Sequence, residues 1–227
     1  MDYHRLYGWP LENPEQARLL LRDPDKHWKR GRSAFETATA WIGARGIPKK
    51  VIAVLNQASE WQDGELAAGF FEHPTALDTQ TAPSQTDLLA VCGLKNGLGV
   101  LAVEGKAGES FGPLVGEWKT TPGRESRFNW ACSMFGLDGA TCSDFRWQLF
   151  HRSASAILEA KRFRATHAVM LVHDFSGTNS SITDFKAFAD KLGLAGAAPD
   201  ALSAPKSIDG VSLRFGWVCD DCAKEPL

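Results

Sequence analysis

The sequence predicts an α/β fold, a central mixed β-sheet built on a core hairpin and flanked by helices on both faces. Two apolar runs, 86–94 and 98–106, meet at Asn96-Gly97, and Asn-Gly between apolar runs is the strongest short-range hairpin signal. The run Ala168 to Val172, bounded by His167 and His173, suits a strand buried on both sides. Between them lies a long amphipathic stretch, 145–164, in which Leu149, Ala156, Ile157, Ala160 and Phe163 share one side while Arg152, Glu159 and Arg162 fall elsewhere.

The remaining elements follow in chain order. Asn13 and Pro14 suit the cap and first position of a helix over 14–22, which Asp23-Pro24 breaks. Ser33 can cap a helix over 34–44 with Glu36 completing a capping box, and Gly46 and Pro48 end it. A third helix is expected over 48–58. Residues 64–72 read equally as a strand or a helix end, and 73–85, rich in Thr, Pro, Gln and Ser, as a loop. A helix near 125–135 stops at Gly136, Thr183 caps another through Leu192, residues 195–209 read as a loop, and 211–218 as a last strand. No repeat or linker divides the chain, so one domain is expected over 1–227, with a helical N-terminal part over 1–60 and a sheet core over about 64–220.

Composition narrows the function classes. Of 227 residues, 44% are hydrophobic, enough for a core, yet no run approaches the roughly 20 apolar residues of a membrane span. Met1 to Arg5 leads into no apolar segment, so no signal peptide is expected and the reading is cytoplasmic, without a membrane. Five scattered cysteines make a disulfide framework unexpected, and the Cys219/Cys222 spacing has no second ligand pair for a structural zinc. The net charge of −2 argues against polyanion binding by bulk charge. A nucleic-acid site has to be a local basic patch, for which Arg22 to Arg32 and Arg146 to Arg164 are candidates; Lys119, Arg124 and Arg127 form a weaker one.

The hairpin carries the chemistry. With Asn96 and Gly97 as the turn residues, Asp87 falls opposite Lys106 and diagonal to Glu104, all on one face because strand side chains alternate. Directly opposite Cβ atoms stand about 4.5–5.5 Å apart, so two carboxylates and an amine converge. Two carboxylates that repel each other bind a hard dication such as Mg²⁺ or Mn²⁺, with the Gly105 carbonyl as a neutral ligand. Such an ion lowers the pKa of a bound water and stabilises charge on a phosphate, and a neighbouring lysine can position that water. The competing reading is a surface cross-strand ion pair contributing about 0–1 kcal/mol. The apolar surroundings, Leu88 to Val91 and Leu101 to Val103, favour a site at a sheet end.

Ser84-Gln85-Thr86-Asp87 followed by Val103-Glu104-Gly105-Lys106 resembles the metal-binding core of the PD-(D/E)XK nuclease superfamily, with Thr86 standing where the motif's proline would be. Together with His27 to Ala34 and Gln148 to Arg152, these segments also resemble an uncharacterised bacterial domain family of the same type. The resemblance implies a restriction-endonuclease-like fold and Mg²⁺- or Mn²⁺-dependent phosphodiester hydrolysis of nucleic acid, DNA favoured over RNA, with a homodimer as one arrangement. It implies metal ligation by Asp87, Glu104 and the Gly105 carbonyl. Lys106 would activate water, Gln148 would steady Lys106 or that water, and Glu36 is the candidate helical glutamate, which otherwise serves the capping box. His151 and Arg152 could reach phosphates; Arg152 shares a helix face with Gln148, four residues earlier. Alternatives are a non-catalytic nucleic-acid-binding or protein-interaction module on the same fold, and a small-molecule phosphohydrolase.

Overall fold

The structure is a computed structural model that describes residues 11–78 and 82–222. The reading of Met1 to Arg5 lies outside the described residues, as do residues 79–81 of the expected loop.

Among the described residues, four α-helices lead into the sheet: α1 (Pro14–Arg18), α2 (Pro24–His27), α3 (Ser33–Ala44) and α4 (Lys49–Leu55). Asn13 and Gln16 form a reciprocal capping box on α1. Asp23-Pro24 not only separates helices, as expected, but starts the short α2, because the Asp23 carboxylate accepts from the Lys26 N–H. The cap of α3 needs correction. Its N-cap is Arg32, in extended backbone and without a side-chain bond, and Ser33 is already helical. Glu36 still reaches back, accepting from the Gly31 N–H at 2.7 Å.

Seven strands form one mixed sheet: β1 (Glu65–Thr75), β2 (Ser84–Leu94), β3 (Gly97–Lys106), β4 (His167–Asp174), β5 (Ala201–Leu202), β6 (Lys206–Ile208) and β7 (Val211–Cys219). The order is β1-β2-β3-β4-β7-β5, with β6 also on β7. The first three strands run antiparallel, while β4 is parallel to both β3 and β7. Two expected loops contain strand: β1 continues to Thr75, and 195–209 holds β5 and β6. Pro74 hid the first from sequence reading, yet a proline is tolerated on an edge strand such as β1.

The helices after the hairpin are α5 (Val115–Trp118), α6 (Pro122–Phe135), α7 (Trp147–Arg162) and α8 (Ile182–Leu192). The α6 helix starts before residue 125 because the Thr121 hydroxyl caps it and Pro122 takes the first position. Gly136, at φ +66°, ends it in the left-handed conformation that glycine adopts without cost.

Alternation along the central strands divides the core in two. Leu89, Val91, Val100 and Ala102 pack with Phe128 of α6, Leu149, Phe150 and Ile157 of α7, and Phe188 of α8. Leu88, Ala90, Leu101 and Val103 pack with Trp41 of α3 and Val51 and Val54 of α4. Full burial of each large apolar side chain contributes about 1.5–3 kcal/mol. Both faces being covered explains why β2, β3 and β4 read as continuous apolar runs.

The hairpin register differs from the expected one by two residues. Leu94 faces Gly97 and Leu88 faces Val103, so Lys95 and Asn96 are the turn residues. Gly97 follows them at φ +122°. Continued by one step, this register sets Asp87 across from Glu104, not Lys106. An even shift preserves the face of every side chain, and so the convergence survives the correction. Among the described residues, no helix is long and apolar enough to cross a membrane.

Candidate functional site

The sequence-predicted group assembles at the end of the sheet where β2 begins and β3 finishes. Lys106, buried at 5% exposure, donates to Glu104 Oε1 at 2.9 Å, to Gln148 Oε1 at 3.0 Å and to the Ser110 carbonyl at 3.3 Å. Its ammonium also lies 4.7 Å from the centre of the Phe111 ring. Gln148, in the first turn of α7, closes a triangle by donating from Nε2 to Glu104 Oε1 at 2.6 Å. Asp87 Oδ2 accepts from the Gly105 N–H at 2.9 Å, which fixes the carboxylate against β3. Gly105 itself packs under α3: a Cβ there would run into Thr37 Oγ1 and stand 3.2 Å from the Ser33 carbonyl.

Arg152 corrects the sequence reading most. The amphipathic pattern set it apart from the apolar side of α7 and left it able to reach a phosphate, yet it is 6% exposed. Its Nε donates to Glu104 Oε2, its Nη1 donates to Ser84 Oγ at 3.0 Å, and its Nη2 stands 3.8 Å from Asp87 Oδ1. A guanidinium therefore bridges the two carboxylates of the motif. Ser84 extends the chain of bonds to His151 Nδ1 at 2.8 Å; Arg152 Nη1, which can only donate, also lies 3.4 Å from Nδ1, and this favours Nδ1 as acceptor with the ring proton on Nε2. Burial, then the Arg152 charge, holds His151 well below its ordinary pKa and hence neutral.

A third carboxylate, Glu72, escaped the sequence reading. Phe71 pairs with Leu88 and His73 with Thr86, which puts Glu72 beside Asp87. Its φ of +51° is rare for a residue with a side chain. Phe71 packs into the core under α3 and α4, whereas His73, two residues on, meets Glu159 of α7 at 3.2 Å. In a regular strand these two would share a face, so the alternation turns over at Glu72. The signal was a carboxylate flanked by aromatics in a segment ambiguous between strand and helix.

The electrostatics follow from three carboxylates sharing two cations. Burial, then the Glu104 charge, pushes Asp87 up to about 8. Burial likewise pushes Glu72 up to about 7. Burial acts in the same direction on Glu104, but Arg152 and then Lys106 outweigh it and hold that acid down at about 2. Glu104 thus carries a permanent charge, while its two neighbours hold protons for want of positive charge.

This imbalance fits a hard dication at Asp87. Glu104 has both oxygens engaged by its own donors and would have to share one of them. Among the described residues, no group of three or more His, Cys, Asp or Glu stands placed to hold a metal ion.

The remaining candidates scatter. Glu36 is 1% exposed and spends its reach on the Gly31 N–H. Arg146 pairs with Asp184 at 2.8 Å, Lys161 pairs with Asp209, and Arg162 lies 3.7 Å from Glu159, so the Arg146 to Arg164 patch is largely neutralised. Arg127 is buried against Asp78 at 2.9 Å and is no phosphate track. By contrast Arg22, His27 and Arg32 are exposed and line the cavities over Asp87.

No curated protein and no solved structure matched the chain. A family model described as Domain of unknown function (DUF6946) matches residues 10–222, and the chain belongs to that family.

Proposed function

We propose that this protein is a metal-dependent phosphodiesterase that hydrolyses nucleic acid. The observation that carries the reading is the clustering of Asp87, Glu104, Lys106 and Gln148 in one bonded group at a sheet end, beneath an exposed basic segment. It is the constellation that the resemblance to PD-(D/E)XK nucleases implies, including a restriction-endonuclease-like arrangement of the hairpin.

Asp87, with Glu104 as the second carboxylate, would hold Mg²⁺ or Mn²⁺. The ion, when bound, supplies an acidified water and stabilises charge on the phosphate. The chain's own residues do the rest. Lys106 has its three N–H donors on three acceptors, and exchange of the longest of these bonds, 3.3 Å to the Ser110 carbonyl, would turn one N–H toward the attacking water or a phosphate oxygen. Gln148 holds Lys106 in that position and so spares the reorganisation that a free lysine requires. Arg22 and Arg32 attract the polyanion in a chain whose net charge is −2. The test is cleavage of plasmid, single-stranded DNA and RNA with Mg²⁺ or Mn²⁺, alongside calorimetric Mn²⁺ binding. Wild type is expected to bind and to cut, Asp87→Ala to lose both. Unchanged binding and cutting in Asp87→Ala contradicts the assignment.

One observation favours a second reading, a nucleic-acid-binding module without catalysis. Arg152 bridges Glu104 and Asp87, the position in which a dication would neutralise both. A binder of this kind holds nucleic acid in EDTA, with salt-dependent affinity and no cleavage.

A further inference from the structure

We propose that the site acts on internal phosphodiester bonds of a single strand lying in a groove open at both ends; this rests on the phosphodiesterase reading above. Two cavities meet over Asp87. One, of about 570 Å³, extends over Lys106 and Gln148 toward Trp118 and Pro113. The other, of about 600 Å³, extends over Glu72 and Gln85 toward Arg22 and Asp23. His27, Ser33, Ala34 and Asp87 line both, so the two are limbs of one trough with Asp87 at its middle.

Neither limb is blind. Gly112 and Pro113 are exposed at one end, Arg22 and Asp23 at the other. The second limb leaves across β1, the edge strand of the sheet. Recognition of a chain terminus needs a wall against which the last nucleotide stops; a trough with two exits lets the polymer continue past the reacting phosphate on both sides.

Size selects the strand. Each limb has the volume of a site for one small ligand, enough for about a nucleotide on either side of Asp87. The first limb is bordered by Arg32 to Ala34 and, beyond Lys106, by Ser110 to Pro113, Trp118 and the start of α7; the second is bordered by the 21–34 segment and by Glu72, Gln85 and Arg152, a lining that suits one strand better than a duplex. Charge runs along the same line. Arg22 borders one limb and Arg32 the other, as a groove that tracks a single-stranded backbone requires. Asp23, Glu72 and Glu109 face the trough as well, which keeps the attraction local and salt-sensitive.

The test offers wild-type protein, with Mg²⁺ and then Mn²⁺, three DNAs: a covalently closed single-stranded circle, a covalently closed duplex circle and an end-labelled linear strand. The expected result is opening of the single-stranded circle, an intact duplex circle and internal fragments from the linear strand. Stepwise shortening of the linear strand with the single-stranded circle intact overturns the open groove and leaves the phosphodiesterase reading standing. Equal cutting of the duplex circle overturns the choice of strand. No cutting of any of the three, nor of a single-stranded RNA offered beside them, removes the phosphodiesterase reading and this inference with it. Arg22→Ala and Arg32→Ala, one per limb, are each expected to weaken binding of a single-stranded oligonucleotide about fivefold at ~0.1 M salt and to lower the salt slope by about 0.7. Loss confined to one of the two variants contradicts a strand lying in both limbs.

Discussion

Lys106 Nζ donates to Gln148 Oε1 at 3.0 Å, and the Gln148 amide donates onward to the same Glu104 oxygen that Lys106 uses. The amide therefore fixes the spacing between an ammonium and a carboxylate that otherwise would pair alone. Gln148→Ala removes both bonds and leaves the charges in place. Cleavage is expected to fall about 10- to 100-fold, the usual cost of a residue that orients a site without reacting in it. Mn²⁺ affinity, read by calorimetry, is expected to change less. An unaltered cleavage rate contradicts the positioning role.

Arg152 and Glu104 are buried together, and removing Arg152 takes away the larger of the two positive charges that hold Glu104 ionised, leaving Lys106. Arg152→Met is expected to destabilise the protein by about 3–5 kcal/mol. Arg152→Met with Glu104→Gln is expected to recover a large part of that, because residues in contact do not add. Urea unfolding of the two single variants and the pair measures the coupling; simple additivity would mean that the ion pair contributes nothing specific.

Stability in metal-free buffer is expected to carry the mark of the excess carboxylates. The folded protein holds the Asp87 proton up to about pH 8, whereas an ordinary aspartate releases it near 3.8. Between those values the folded state binds more protons than the unfolded one, and stability falls as pH rises. Glu72, raised from 4.5 to about 7, acts in the same direction. Glu104 acts oppositely: its contribution is complete above its ordinary 4.5 and is lost as pH drops toward about 2. Asp87→Asn is therefore expected to melt above wild type at pH 8 in EDTA and to show a shallower decline between pH 5 and 8. Parallel melting curves for the two proteins contradict the proton assignment.

Gly105 is a packing residue as well as a link between Glu104 and Lys106. Gly105→Ala drives a methyl into Thr37 of α3 and is expected to cost about 1–3 kcal/mol. Thr37→Ala in the same chain is expected to restore part of the loss, although the Ser33 carbonyl, 3.2 Å away, keeps the rescue incomplete. Thermal melts of the single and double variants decide this, and no rescue at all would place the strain elsewhere than α3.

Much of the site was legible because parity is more robust than register. The Asn96-Gly97 signal located the hairpin, and a two-residue error in the turn left Asp87, Glu104 and Lys106 together. Gln148 followed from the resemblance, and the structure places it on Lys106. What escaped depended on tertiary context. Helical periodicity set Arg152 apart from the buried side of α7 because the pattern along one helix carries no information about a charged strand end beneath it. Glu72 escaped because a left-handed residue reverses strand alternation, and nothing in Phe71-Glu72-His73 announces that conformation. Pro74 turned the end of β1 into an expected loop, and the very short β5 and β6 have too few residues to show a period.

Removal of the Lys106 ammonium is the most direct test of the central claim. Wild type and Lys106→Ala, matched for circular dichroism and Mn²⁺ binding, are to be compared for cleavage of single-stranded DNA and RNA at saturating Mg²⁺ or Mn²⁺. Metal-dependent cutting by wild type that falls at least about 100-fold in Lys106→Ala, within the usual range for a lost general acid or base, is the predicted result. Equal cutting by both proteins, or none by wild type with either metal, contradicts a catalytic site built on Asp87, Glu104 and Lys106.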